Sequence, residues 1–210
     1  VIPALAHDPI TTQLTFSNEI SRLLNRHCTG CHQDGGQAMP LMTYQQVRPW
    51  AKAIRDEVLA RRMPPWDAVK GVGEFRNDTS LSAPEMDMVV RWVEGGAPEG
   101  DTVLTAPKAA VGSTFTACGE APPGLSISGD STLPRDLRLT GIWTAGPGEV
   151  TAMLPDGGVQ RLLWVRNFHA RWNQIYWLRE PCLLPTGTRL FVRAARGGSV
   201  RLLTTAAPAR

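Results

Sequence analysis

The sequence predicts a two-domain α + β chain, an all-α N-terminal part followed by an antiparallel β-sandwich. Apolar residues recur at helical spacing three times within the first hundred positions. After Asp101 the texture changes to an Ala/Pro-rich stretch and then to short runs bounded by Gly, Pro and Asp. The 20 Gly and 17 Pro fall mostly outside the helical patterns, which favours a β-rich portion over an all-helical chain. The expected boundaries are an N-terminal arm at 1–14, a helical domain at 15–104, a linker at 105–112 and the sandwich at 113–210.

Taken in order, Val1-Ile-Pro-Ala-Leu-Ala-His7 fits either the tail of an export signal, with Ala4-x-Ala6 as its cleavage pattern, or an extended arm. The first helical pattern places Phe16, Ile20, Leu23 and Leu24 on one face and runs into Cys28, with Ser17 as the expected N-cap. In the second, interrupted by Pro49, Thr43 and Gln46 form a capping box, and Trp50, Ile54 and Val58 make a face up to Arg62. The third opens on the capping box Ser82-Ala-Pro-Glu85, presents Met86, Val89, Val90 and Val93, and stops at Gly95-Gly96. Strands are expected at 113–118, 124–128, 136–143, 149–154, 159–166, 174–179, 188–194 and 199–204. Asp156-Gly157 between two of them is a hairpin signal. Short strands at near-regular spacing indicate the sandwich.

Charge is divided unevenly. Residues 1–104 carry 10 Lys/Arg against 13 Asp/Glu, and residues 105–210 carry 12 against 6. The basic residues of the second half are spread along alternating segments, which suits solvated strand faces or a docking surface and not the concentrated stripe of a nucleic-acid binder. No run approaches the ~20 apolar residues of a membrane span, so no transmembrane segment is expected.

Cys28-Thr29-Gly30-Cys31-His32 carries the chemistry. Covalent haem c attachment needs two thiols three residues apart for the vinyl groups, and an imidazole next to them that reaches the iron. A zinc site would want a second ligand pair nearby, and the next Cys is Cys118. A thioredoxin-like dithiol would want a strand before the motif, where this sequence has a helix pattern. Candidates for the opposite axial position are Met39, Met42, Met63, Met86, Met88, His27 and His169. Met63 stands out because Pro64-Pro65-Trp66 after it forbids helix continuation and holds the backbone extended. A Met closing a helix over the core is the alternative. His/Met ligation would suit electron transfer. Trp50, Trp66 and Trp92 are either walls of a haem pocket or ordinary core.

Thr15 to Asp101 resembles the class I cytochrome c family: a helix ending in the haem motif, a Met-Pro-Pro segment, and a closing helix that begins Ser-x-x-Glu and contains Arg91-Trp92-Val93. The resemblance implies an all-α cytochrome c fold, with His32 and Met63 as axial ligands of one haem c bonded through Cys28 and Cys31. Met63-Pro-Pro-Trp66, Gly73 to Ser82 and Gly95 to Asp101 are similar to bacterial cytochrome domains fused to a copper-monooxygenase-like module. Val150 to Gly157, Leu162 to Arg166 and Pro185 to Leu190 resemble the C-terminal domain of copper type II, ascorbate-dependent monooxygenases. In that family a His-x-His pair binds copper. The corresponding stretch here, Leu139 to Gly146, has no His, so the resemblance implies a sandwich that has lost its copper. His169 is the second half's one His.

Cys118 and Cys182 most simply form a disulfide in an exported protein, closing a loop of roughly 65 residues worth about 4 kcal/mol. Free buried thiols are the alternative. Trp172 and Trp177 with Arg171 and Arg179 form either a partner surface or core aromatics with solvated neighbours.

These readings lead to a periplasmic or extracellular bacterial electron carrier. It would act alone or as the haem subunit of a larger, membrane-associated redox complex, docking through the sandwich. A copper monooxygenase with a built-in cytochrome donor is the alternative, and a haem-based sensor of redox state or gas is a third.

Overall fold

A computed structural model of the chain describes residues 11–36, 38–101, 120–195 and 198–205. The expected linker at 105–112, the strand at 113–118 and Cys118 lie outside the described residues. The chain divides into two compact units, Val1–Pro65 with Thr79–Phe115, and Trp66–Asp78 with Thr116–Arg210.

The first unit is built on short helices. A single π-type turn, Phe16–Ile20, leads into α1, Ser21–His27. The N-cap is Thr15, two residues before the expected Ser17. Its hydroxyl accepts from the Asn18 N–H, while its own N–H donates to Glu19 Oε2 at 3.0 Å. Ser17 lies inside the turn, buried. The Thr43 capping box opens α2, Tyr44–Val47, with the Gln46 side chain closing it. Pro49 forces one 3-10 turn, Arg48–Trp50, before α3, Ala51–Leu59. That helix stops three residues short of the expected Arg62, because Arg61 turns left-handed at φ 55°.

Helix α4, Ala83–Glu94, carries the expected Ser82/Glu85 box, with both reciprocal hydrogen bonds present. Ile20, Leu24, Val47, Val89 and Trp92 are the most deeply buried members of this unit's core. Met86 packs against it as expected; Met88, expected off the apolar face, packs against it too.

The second unit consists of two antiparallel four-stranded sheets. The strands are β1 Leu125–Ile127, β2 Ser131–Thr132, β3 Leu137–Thr144, β4 Gly148–Met153, β5 Val159–Val165, β6 Tyr176–Leu184, β7 Arg189–Ala194 and β8 Val200–Thr205. One sheet runs β1-β8-β3-β6 and the other β2-β7-β4-β5. Alternate residues from both sheets, among them Leu139, Ile142, Val150, Leu163, Leu190 and Leu202, meet in one core. The β4–β5 hairpin turns through Gly157 at φ 87°, as Asp156-Gly157 indicated.

The two-domain α + β fold with an all-α cytochrome c unit over 15–104 is overturned. Helix makes up 25% of the described residues, in short pieces, and antiparallel sheet dominates. Residues 66–78, inside the expected all-α span, belong to the β unit. This segment lies along the open edges of both sheets. Ala68 bridges Val165 at the edge of β5, and Phe75 bridges Leu178 on β6. Val69 N–H donates to the Trp164 carbonyl at 2.7 Å, and Arg76 N–H to the Trp177 carbonyl at 2.9 Å. An uncovered edge strand carries unpaired backbone donors and acceptors, and this segment satisfies part of both edges.

Trp66, Phe75 and Tyr176 form a ring cluster with centroids 5.2 to 5.7 Å apart. The Asn77 amide fixes the far end, donating to the Ile175 carbonyl at 2.8 Å and accepting from Trp177 N–H at 3.0 Å. Pro64-Pro65 ends the helical path just before the segment. Among the described residues no helix is long and apolar enough to cross a membrane.

Candidate functional site

The Cys28–His32 motif forms a tight turn on the end of α1. Cys28 caps the helix, its N–H donating to the Leu24 carbonyl at 2.8 Å. Its own carbonyl then accepts from both Cys31 N–H (3.1 Å) and His32 N–H (3.0 Å). Thr29, 1% exposed, anchors the turn through a hydroxyl bond to the Asn25 carbonyl. Helix and turn together present the two thiols on one short loop. Cys28 packs against the apolar core of its unit, and Cys31 is half-buried.

Burial, reinforced by the neighbouring Cys31, pushes the Cys28 thiol up to about 12. That is opposite to the depressed thiol of a nucleophilic redox dithiol.

His32 is held for coordination. Its Nδ1 lies 2.8 Å from the Met39 carbonyl. A carbonyl only accepts, so Nδ1 is the donor in this bond, and in the neutral ring the lone pair lies on Nε2. The Leu41 N–H donates to the His32 carbonyl at 2.9 Å, closing the following loop on the motif. A metal-binding imidazole is oriented by such a bond on its second nitrogen.

The residues between the motif and Met63 also suit a large apolar group. The unit's exposed large apolar side chains, Met39 (39%), Trp50 (48%) and Leu59 (56%), all fall in this stretch. Met63 follows the end of α3, half-buried, its N–H donating to the Glu57 carbonyl at 3.3 Å. Arg62 beside it is held by a bidentate pair with Glu57. Two thiols and one oriented imidazole on a single turn are the donor chemistry that a covalently bound haem would take.

The other sequence candidates separate. Trp66 sits in the core of the β unit at 7% exposure, and Trp92 in the core of the helical unit at 0%, its Nε1–H donating to the Pro98 carbonyl. Met42 is half-buried beside the α2 cap. Cys182 carries a free thiol that donates to Gln160 Oε1 at 3.2 Å; its expected partner Cys118 is outside the described residues. Leu139 to Gly146, where the copper pair would fall, runs through β3 and is largely buried. Among the described residues no group of three or more His, Cys, Asp or Glu is placed to hold a metal. Arg171 lies over Trp172 and Arg76 over Trp177, and Arg179 faces Glu74 at 3.9 Å.

Two polar clusters escaped the sequence reading. His27 bridges the Thr79 carbonyl and Glu85 Oε1, each at 3.1 Å, which ties the helix before the motif to the cap of α4. Burial pushes the Glu85 carboxyl up, but hydrogen bonds from the Ser82 N–H and hydroxyl and from His27 outweigh it and hold it at about 2. In the β unit the buried Asp67 accepts from His169 twice, from Nδ1–H and from the backbone N–H, both at 2.8 Å. The capping pattern pointed to Glu85 but not to its imidazole partner, and nothing local marks Asp67.

No protein-family profile, curated protein or solved structure matches this chain.

Proposed function

We propose that this chain is a c-type haem protein of electron transfer, with one haem bonded through Cys28 and Cys31 and His32 as axial ligand. The observation that carries the proposal is the His32 ring, held through Nδ1 by the Met39 carbonyl on the same tight turn that carries Cys28 and Cys31. The proposal rests on this loop and not on an all-α cytochrome fold. Bound haem supplies a reversible one-electron iron couple.

The chain's own residues would do the rest. Cys28 and Cys31 would hold the group covalently, and the His32 imidazole and the Met63 thioether would ligate its iron. The exposed Met39, Trp50 and Leu59 would cover apolar surface of the group. With two such protein ligands it would exchange electrons without binding substrate. An exported setting, and docking to a redox partner or a membrane-associated complex, complete the proposal.

Expression with a haem-attachment system tests it. The denatured protein should keep its colour through acid–acetone extraction, and the Cys28→Ala/Cys31→Ala variant should lose it. A colourless chain, or one that releases all its pigment, overturns the proposal. Met63→Ala should leave the haem attached but change its spectrum and lower its potential; an unchanged spectrum removes Met63 as ligand.

A further inference from the structure

The outward face of the β2-β7-β4-β5 sheet is basic and aromatic in a way the proposed haem site does not use. Strand register places three rows across it. Trp164, Glu149 and Arg193 form one, Arg161, Thr151 and Phe191 the next, and Val159, Met153 and Arg189 the third. The four strands of this sheet contain Arg161, Arg189 and Arg193 against one carboxylate, Glu149, and Arg166 follows directly after β5. Glu149 is engaged by Arg161 at 3.1 Å. Among the described residues no carboxylate pairs with Arg166, Arg189 or Arg193, all of them exposed. Asp130 and Asp156 lie in turns at the margins.

The arginines are also laid down on rings. The guanidiniums of Arg161 and Arg166 lie 5.3 and 5.9 Å from the Trp164 centroid, and that of Arg189 lies 5.2 Å from Phe191. Stacking fixes a long side chain in advance, so less rotamer freedom is lost when a partner binds. Among the described residues Arg166 and Arg189 pair with no carboxylate, and a planar N–H fork takes carboxylates two bonds at a time. A nucleic acid would need the ring faces for its bases, and arginine already covers them.

We propose that this sheet face docks an acidic protein segment, recognised by its carboxylates through Arg166, Arg189 and Arg193. The proposal needs no haem, so it stands or falls separately from the proposed electron transfer.

The full chain titrated at low ionic strength with a labelled poly-glutamate peptide tests it. Arg189→Glu/Arg193→Glu should weaken binding about tenfold, since close charge pairs across an interface are strongly coupled. Arg22→Glu/Arg48→Glu makes the same change in net charge at exposed positions of the helical unit and should weaken it less than about twofold. Arg189→Gln/Arg193→Gln, which removes charge without adding repulsion, should fall between the two and serves if the Glu variant fails to fold. Equal weakening by the two Glu pairs overturns the proposal, because attraction would then follow net charge alone. Binding of an oligothymidylate as tightly as poly-glutamate, through the same arginines, overturns it in favour of a nucleic-acid face.

Discussion

Replacing Trp66 by Ala tests the reassignment of residues 66–78 to the β unit. The Trp66 side chain is 7% exposed and its ring lies 5.2 Å from Tyr176 and 5.7 Å from Phe75. Truncating a buried Trp costs about 3–5 kcal/mol through lost burial and the cavity left behind. Two ring contacts of ~0.5–1.5 kcal/mol each place this site near the middle of that range or above. A loss of about 4 kcal/mol is a large share of a domain's total stability. With a urea slope of about 2 kcal/mol/M, the midpoint of the β unit should fall by about 2 M. Hydrogen exchange locates the effect. The amides of Val69 and Arg76, which bond to the edges of β5 and β6, should lose protection first. The reasoning is refuted if the midpoint moves by less than about 0.5 M and these amides stay protected. A change confined to the spectrum of the proposed haem would favour the pocket-wall alternative for Trp66 over the core one.

Glu85, held at about 2 against an ordinary 4.5, contributes stability above the unfolded-state value that is lost as pH falls from about 4.5 towards 2. Solvent screening limits the effect to ~1–2 kcal/mol, read as a flatter acid branch of the unfolding midpoint in Glu85→Gln than in the parent. Gly73→Ala should cost at least about 2 kcal/mol by thermal or urea unfolding. Gly73 has φ 71°, and an added Cβ would stand 2.4 Å from the Leu162 carbonyl oxygen. Gly157→Ala, at φ 87° with nothing within 4 Å, should cost only the backbone strain of about 1 kcal/mol; equal losses at the two sites would deny the close approach. In the haem-free, reduced chain, Cys28 should alkylate at pH 8 orders of magnitude more slowly than a free thiol, because burial holds its pKa near 12. Rapid labelling of Cys28, located by peptide mass spectrometry, would place it outside the core.

What the sequence makes legible is what three or four neighbouring residues decide among themselves. Both capping boxes, Thr43 with Gln46 and Ser82 with Glu85, are found where the spacing puts them, because each is a closed exchange of hydrogen bonds within one turn. The Asp156-Gly157 turn and the strands beside it follow the same logic. Ser17 and Thr15 are both hydroxyl residues, and only the π-type turn, a tertiary accommodation, makes Thr15 the cap and not the expected Ser17. Strand β2, two residues long, is below any periodic signal.

Residues 66–78 are the instructive failure. Trp66 and Ala68 are spaced as in a strand, and Ala68, Val72 and Phe75 as on a helix, so no single period holds; beside a Met-Pro-Pro segment their apolar character suits a pocket wall equally well. Their partners, Val165 and Leu178, lie about a hundred residues further on. The same limit bears on the site. Cys28, Cys31 and His32 of the proposed site are legible because their spacing is local. The bond from His32 to the Met39 carbonyl, seven residues on, is a property of the loop's closure and is written in no motif. A test of the site should therefore perturb that closure as well as the ligands. Shortening the 33–38 loop should leave both cysteines in place yet impair His32 ligation. Unimpaired ligation would show that the motif alone suffices.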